Sequence, residues 1–370
     1  MKRYRICWIT SSFLLDVDIP IVPKLQKEYE IDWIILTTKG NREGDKRLIE
    51  ATGCRMYRMI ENRGAFFHPK QFFLFKKLIR EIRDSKYDLY YFDYLGMPYF
   101  MPLVRHYLPK KKVVIAAHNV KTPQGARYYW LAKPYMAYVI RKFTNFQVFS
   151  QNQLDLLRSL KKDTNILYAP LCLKDYGEPT IKKSDKPITF LFFGNIVEYK
   201  RVDLLLRAMH ILKDKGITDF MVKISGYCRP EKWNGSYREL CKSLDNVELD
   251  IRRIPNEVIP DLFESSHFFV MPYQDIAQSG AMTVALRYNI PIIASELDTF
   301  KEFMNGSDDG YFFESGNAES LAETMLRAME EYKSRYNMLR KSQAAIVKEK
   351  LSQEAILAQY KEYIDGLCQH

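Results

Sequence analysis

Strand-length apolar runs alternate with segments of helical periodicity along almost the whole chain, and that alternation argues for parallel α/β layers. In the first half, strands are expected over residues 5–9, 32–36, 55–59, 89–92, 113–117, 146–149 and 166–168. Helices are expected there over 22–29, 69–84, 98–107, 126–142 and 151–160. A second set of strands follows over 188–193, 221–225, 247–249, 268–270 and 292–294, again with helices between them. From Ala318 onward helical patterns dominate, ending in a helix over 352–367 that would pack back across the first set. Segment 171–187, rich in Lys and Asp and without periodicity, reads as a linker. A chain of 370 residues exceeds one typical core. The expectation is therefore two doubly wound, Rossmann-like α/β domains: residues 1–175, joined by the terminal helix 352–370, and residues 176–351. Open sheets of this kind bind ligands at the carboxyl ends of their strands, so the two domains would face each other across a ligand cleft.

One local motif stands out. The apolar run Phe190–Phe193 ends at Gly194, and a short polar turn beginning with Asn195 brings in Lys200 and Arg201. An amphipathic helix follows, with Val202, Leu204, Leu205, Leu206, Ala208, Met209 and Leu212 as its apolar positions. Strand, tight turn, helix: that order places backbone N–H groups and a lysine where a phosphate can sit. A second small-residue turn, Gln278-Ser279-Gly280, repeats the architecture downstream. Two such turns suggest a diphosphate held between two helix starts.

Charge is divided unevenly. Residues 1–185 carry 33 Lys and Arg against 18 Asp and Glu, whereas the remainder is acidic on balance. Between Asp93 and Asp155 there are nine cations and no carboxylate, with Tyr128, Tyr129, Trp130, Tyr135, Tyr138 and Phe143 interleaved. Such a surface attracts polyanions, whether anionic lipid, diphosphate carriers or nucleic acid; a solvated helix face gives the same pattern. No nucleic-acid reading motif accompanies the charge, so nucleic acid is not an expected partner. Phe66, Phe67, Phe72, Phe73 and Phe75 beside Lys70, Lys76 and Lys77 would suit interfacial anchoring, or equally a helix core.

Other classes find little support. The apolar runs are strand-sized, and the basic, apolar start continues into Asp16 and Asp18 with no small-residue cleavage site, so it reads as a buried first strand. The six cysteines are scattered without metal or redox spacing, which fits free thiols in a reducing cytoplasm. No histidine shows metal spacing, so no metal is expected. Neither a Gly-x-x-x-x-Gly-Lys-Ser/Thr phosphate loop nor a Gly-x-Ser-x-Gly elbow occurs.

Taken in order, several segments of the second half resemble the donor domain of the family-4 glycosyltransferases, enzymes of the GT-B fold. They are Gly194 through Lys200 to Asp203, Ile224-Ser225-Gly226, Asn246–Leu249, Ile254–Pro260, His267–Tyr273 and Ile290–Ser295. In the first half, Ala117-His118-Asn119 resembles the family's single histidine. The resemblance implies that Lys200 contacts the donor diphosphate, where a fixed cation stabilises the charge that develops as the sugar–oxygen bond breaks. It implies that His118 contacts the donor sugar or stabilises charge during transfer, and Asp16 is a candidate to receive or orient the acceptor hydroxyl. Gly194, Asn195, Arg201 and Gly226 would complete the donor site. Arg201 stands where a glycine is usual, and Asn195 where many relatives have a second diphosphate-binding arginine.

The two glutamates that many relatives place eight positions apart are replaced by Ile276 and Val284. The chain resembles instead a branch with Gln278-Ser279-Gly280, in which the serine hydroxyl and the amides of Ser279, Gly280 and Ala281 would meet the diphosphate. Asp275, Glu296 and Glu302 are the candidates to hold the ribose, Glu302 foremost. The implied activity is metal-independent, retaining hexosyl transfer from a UDP- or GDP-sugar, with no cofactor, to a saccharide or polyprenyl-diphosphate-linked acceptor. The resemblance suggests bacterial surface-polysaccharide synthesis on the inner face of the cytoplasmic membrane. A sugar-nucleotide epimerase of the same fold, or a non-catalytic binder of polyanions or sugar nucleotides, remains the alternative.

Overall fold

The computed structural model describes residues 3–62, 68–122, 129–304 and 308–369. Phe66, Phe67 and Tyr128, named above, lie outside these, as do the first residues of the helix expected over 126–142 and the last residue of the chain. The chain divides into two compact units, Met1–Cys172 with Gln353–His370, and Leu173–Ser352.

The first unit is built on a seven-stranded sheet: β1 (Arg5–Ser11), β2 (Glu30–Thr37), β3 (Tyr57–Glu61), β4 (Leu89–Asp93), β5 (Val113–Ala116), β6 (Asn145–Val148) and β7 (Asn165–Tyr168). Its order is β3-β2-β1-β4-β5-β6-β7 with every pair parallel, so the winding reverses between β1 and β4. Ile6 through Thr10 are all buried, as a central strand covered on both faces requires. Alternate residues feed two cores. Cys7, Ile9, Ile34, Leu36 and Phe92 pack with Phe75, Leu78, Ile79 and Ile82 of helix Pro69–Asp84. Ile6, Trp8, Trp33, Ile35 and Tyr91 form the other core, which is completed by Ile356, Tyr360 and Ile364 of helix Gln353–Cys368.

That last helix is tied down by polar contacts as well. Tyr29 Oη donates to Asp365 Oδ1 at 2.9 Å, Gln147 Nε2 donates to Tyr360 Oη at 2.6 Å, and Tyr363 Oη donates to the Asn165 carbonyl at 2.9 Å. Burying Ile356, Tyr360 and Ile364 removes large apolar groups from water at about 1.5–3 kcal/mol each, a total comparable to a whole domain's net stability. A chain ending at Ser352 is therefore expected to lose the native near-ultraviolet circular dichroism of buried Trp8 and Trp33, while the second unit retains its own unfolding transition.

The second unit holds a six-stranded sheet: β8 (Ile188–Phe193), β9 (Phe220–Ser225), β10 (Val247–Asp250), β11 (Phe268–Met271), β12 (Ile292–Ser295) and β13 (Gly310–Phe313). The order β10-β9-β8-β11-β12-β13, again all parallel, reverses between β8 and β11. Both sheets are thus doubly wound α/β.

Several elements differ from expectation for physical reasons. Strand β13 was not anticipated because it begins with Gly310, a poor strand former; here a Cβ would lie 2.5 Å from the Ile292 carbonyl oxygen, so only glycine fits. Helix Arg42–Glu50 was missed because it buries only Asp45 and Ile49, too little for an apolar stripe. Asp45 is held by Thr37 Oγ1 instead. The expected helix over 22–29 is shortened to Val22–Leu25. Within the aromatic–basic segment, Phe75 is core and Phe72 half-buried, while Phe73 is 65 % exposed. Phe143 is likewise buried, and Trp130 is 73 % exposed.

Candidate functional site

In the second unit the two turns fall at the carboxyl ends of β8 and β11, the adjacent strands where the winding reverses. Gly194 follows β8 with φ +112°, and its N–H donates to the Ser225 carbonyl at 3.0 Å. Gly226 packs so closely beneath it that a Cβ there would stand 1.9 Å from the Gly194 carbonyl oxygen. Both glycines therefore serve close backbone approach. A 3₁₀ turn, Glu198–Lys200, then folds Lys200 back over the strand end, where a Cβ on Gly194 would lie 2.9 Å from Lys200 Nζ.

Lys200 is 9 % exposed, and among the described residues no carboxylate or carbonyl accepts from its ammonium. Its neighbours are the faces of Tyr273, 5.1 Å from Nζ to the ring centre, and Phe192 at 5.9 Å. Burial, and after it the charge of Lys174, lower its pKa to about 8. Burying an ammonium without a counter-charge is costly, and two aromatic faces offset only part of that cost. A site carrying such a cost is shaped for an incoming anion.

The second turn supplies the rest. Ser279 caps helix Gly280–Arg287, its Oγ accepting from Met282 N at 3.2 Å. Lys174 lies across this helix start: a Cβ on Gly280 would be 3.0 Å from Lys174 Nζ. Gln278 is half-buried and Ala281 packs partly against the core. Thr299 Oγ1 donates to the Ile276 carbonyl at 2.8 Å, and Ser295 Oγ to that of Tyr273 at 2.6 Å; these bonds fix the loop leading to the cap. Lys200, Gly194 and Gly226 on one side, and Ser279, Gly280 and Lys174 on the other, thus form one electropositive group linked through the two lysines. Lys174 was not foreseen, because it sits in the segment read as linker and nothing local distinguishes it from neighbouring lysines.

Other predicted donor residues are placed differently. Arg201 adopts the left-handed conformation (φ +49°, ψ +49°), which accounts for a glycine being usual there. Its guanidinium is engaged by Asp203, with Nε–Oδ1 at 3.0 Å and Nη2–Oδ2 at 2.9 Å, and Nη1 donates to Gln274 at 3.3 Å. Asn195 and Asp275 are exposed, and Glu296 pairs with Lys301 at 3.5 Å. Glu302 is half-buried just past the short helix Asp298–Lys301, and its carbonyl accepts from Lys350 Nζ at 3.2 Å. Ile276 and Val284 put no carboxylate on this loop and helix, and Val284 is buried in the core.

In the first unit, His118 lies just past β5 and is 16 % exposed at its side chain. Its Nε2 is 2.5 Å from Oδ1 of Asp93, the last residue of β4, and its ring stacks on Phe149 at 4.4 Å. Asp16 and Asp18 fall in the short helix Leu15–Asp18, and the two differ sharply. Asp16 is exposed, whereas Asp18 is buried and accepts from Trp8 Nε1 at 2.9 Å and from Thr10 Oγ1. Asp93 and Phe149 were given no site role from the sequence, although a carboxylate closing the apolar run Leu89–Phe92 is a signal that could have found the first.

Residues 178–345 match the family described as "Glycosyl transferases group 1". The match lies within the second unit. No curated protein matches the chain in sequence. Solved structures share its architecture over nearly its whole length, among them the following three. A glycosyltransferase from Rickettsia africae is 16 % identical with a TM-score of 0.75, covering 99 % of each chain. Anabaena HepE, in complex with UDP and glucose, is 13 % identical with a TM-score of 0.74, covering 98 % of this chain and 100 % of its own. A sucrose-phosphate synthase from Thermosynechococcus elongatus is 15 % identical with a TM-score of 0.75, covering 99 % of each. The shared fold is GT-B, and the residues matching the group 1 family include the sheet that positions Lys200, Gly194 and Ser279.

Proposed function

We propose that this glycosyltransferase takes a hexosyl unit from a UDP- or GDP-sugar through the site around Lys200. The observation that carries the reading is a buried ammonium with no carboxylate partner, set over Gly194 and joined by Lys174 at a capped helix start. A diphosphate bound there meets two cations and a set of backbone amides, and the same groups stabilise the charge it gains as the sugar leaves. The presence of UDP in HepE, a protein of the same fold, supports the assignment. Glu302 is the proposed ribose ligand, and His118 the first-unit group acting on the sugar. Transfer is proposed to proceed with retention at the anomeric carbon and without a metal.

A saccharide or lipid-linked acceptor is proposed for the first unit, in bacterial surface-polysaccharide synthesis on the inner face of the cytoplasmic membrane. Its excess of cations and its exposed Phe73 and Trp130 suit an anionic bilayer surface. No helix among the described residues is long and apolar enough to cross a membrane.

A thermal-shift screen of nucleoside diphosphates and nucleotide sugars tests the donor assignment. At a hundredfold excess over Kd, a ligand specific for the native state adds about 2.7 kcal/mol, or roughly 5–10 °C for a unit of this size. Uridine or guanosine diphosphate is expected to produce such a shift. No shift with any nucleotide would overturn the donor site.

A further inference from the structure

We propose that Asp93 is the positioning residue for His118, holding the imidazole as the tautomer protonated at Nε2 and fixing its rotation in the ring plane. The inference rests on the proposed glycosyl transfer and extends it to a residue outside the resemblance. Three consecutive strands of the first sheet contribute one group each at their carboxyl ends: Asp93 from β4, His118 just past β5, and Phe149 just past β6. Phe149 fixes the plane of the imidazole, since the two rings lie 18° from parallel at 4.4 Å. Asp93 fixes its rotation about that plane through the 2.5 Å contact to Nε2.

The chemistry of the carboxylate decides the tautomer. A carboxylate offers only lone pairs, so the proton of this bond belongs to Nε2. Burial, and after it the charge of Asp93, push the carboxyl of Asp18 well above the usual carboxylate range. The other oxygen of Asp93, Oδ2, is buried and has no hydrogen-bond partner among the described residues. The hydrogen bonding of Asp93 is therefore directed at the imidazole and not shared with a second donor. A buried, half-satisfied carboxylate is expensive to keep, and orienting a neighbouring group is the use to which such partners are put.

Histidine-selective ¹⁵N NMR of the wild-type protein tests the tautomer directly, with no variant needed. The expected result is the His118 signature of Nε2–H; a neutral ring protonated at Nδ1 would overturn the proposal. Asp93→Asn, which keeps the shape and removes the charge, is expected to mix the two tautomers. It should also lower kcat by about 10- to 100-fold, leaving the KM for nucleotide sugar and the thermal shift with uridine diphosphate within twofold of wild type. In an Asp93→Asn/His118→Ala double variant, transfer should fall no further than in His118→Ala alone. An unchanged kcat in Asp93→Asn, or a further tenfold loss in the double variant, would sink the positioning role. The donor reading fails separately: it fails if the wild-type protein neither shifts with nucleotide nor transfers sugar, whatever the tautomer proves to be.

Discussion

Lys200→Ala is expected to lower kcat/KM for glycosyl transfer by roughly 100- to 1,000-fold, the loss of about 3–4 kcal/mol that follows removal of a buried group facing developing negative charge. The same residue should have the opposite effect on the ligand-free protein. Its folded pKa of about 8 lies below the ordinary lysine value of 10.5, so the unfolded chain binds more protons between those two values. Ligand-free stability should therefore rise with pH through that window. Below pH 8 the buried charge costs the folded state about 3 kcal/mol. Lys200→Met, which fills the same space without charge, should unfold at a higher temperature than wild type at pH 7 and lose this pH dependence. Diphosphate binding reverses the balance, because an anion beside the ammonium favours its charged form. Above pH 8 binding must take up a proton, so Kd should weaken toward tenfold per pH unit, a trend calorimetry in buffers of different ionisation enthalpy would reveal. Equal transfer rates for wild type and Lys200→Ala would remove the residue from the site.

Gly226→Ala is expected to be nearly as damaging by a purely steric route. The new methyl would stand 1.9 Å from the carbonyl oxygen and 2.7 Å from the carbonyl carbon of Gly194, both of them backbone atoms that cannot swing aside. Relief requires moving the Gly194 turn, and with it the surface over which Lys200 lies. A destabilisation of about 3 kcal/mol is expected for such overpacking, together with loss of the thermal shift by uridine diphosphate. Gly235→Ala is the matched control: it lies in helix Pro230–Ser236 with nothing within 4 Å of its Cβ position, so it should be neutral or slightly stabilising. A Gly226→Ala protein that binds nucleotide normally would mean that the turn is not part of the donor site.

How much of this was legible beforehand depended on whether a residue's role was local. Strands such as Ile188–Phe193 announce themselves because burial on both faces makes every position apolar. The glycine, lysine and helix of the first turn are contiguous in sequence, and so the phosphate-like arrangement can be read there. Lys174 and Asp93 act through space. The first reaches the start of a helix more than a hundred residues away in sequence, and the second meets a histidine on a neighbouring strand, and no window of sequence contains either pair. Asp16 and Asp18 show the same limit from the other side. They share one short helix, yet one faces water and the other is locked among Trp8 and Thr10 by a strand that precedes both.

The helix Gln353–Cys368 completes the first core although the whole second unit separates it in sequence from the rest of that core. During synthesis, residues 1–172 leave the ribosome without the Tyr360 ring that packs against Trp8 and Tyr91, and stay so while Leu173–Ser352 are made. At ~5–20 residues per second that interval is on the order of 10–40 s, long enough for a chaperone to engage the site that Tyr360 later fills. The order of maturation is then inverted: the unit translated second can finish folding first, and the unit translated first is sealed last.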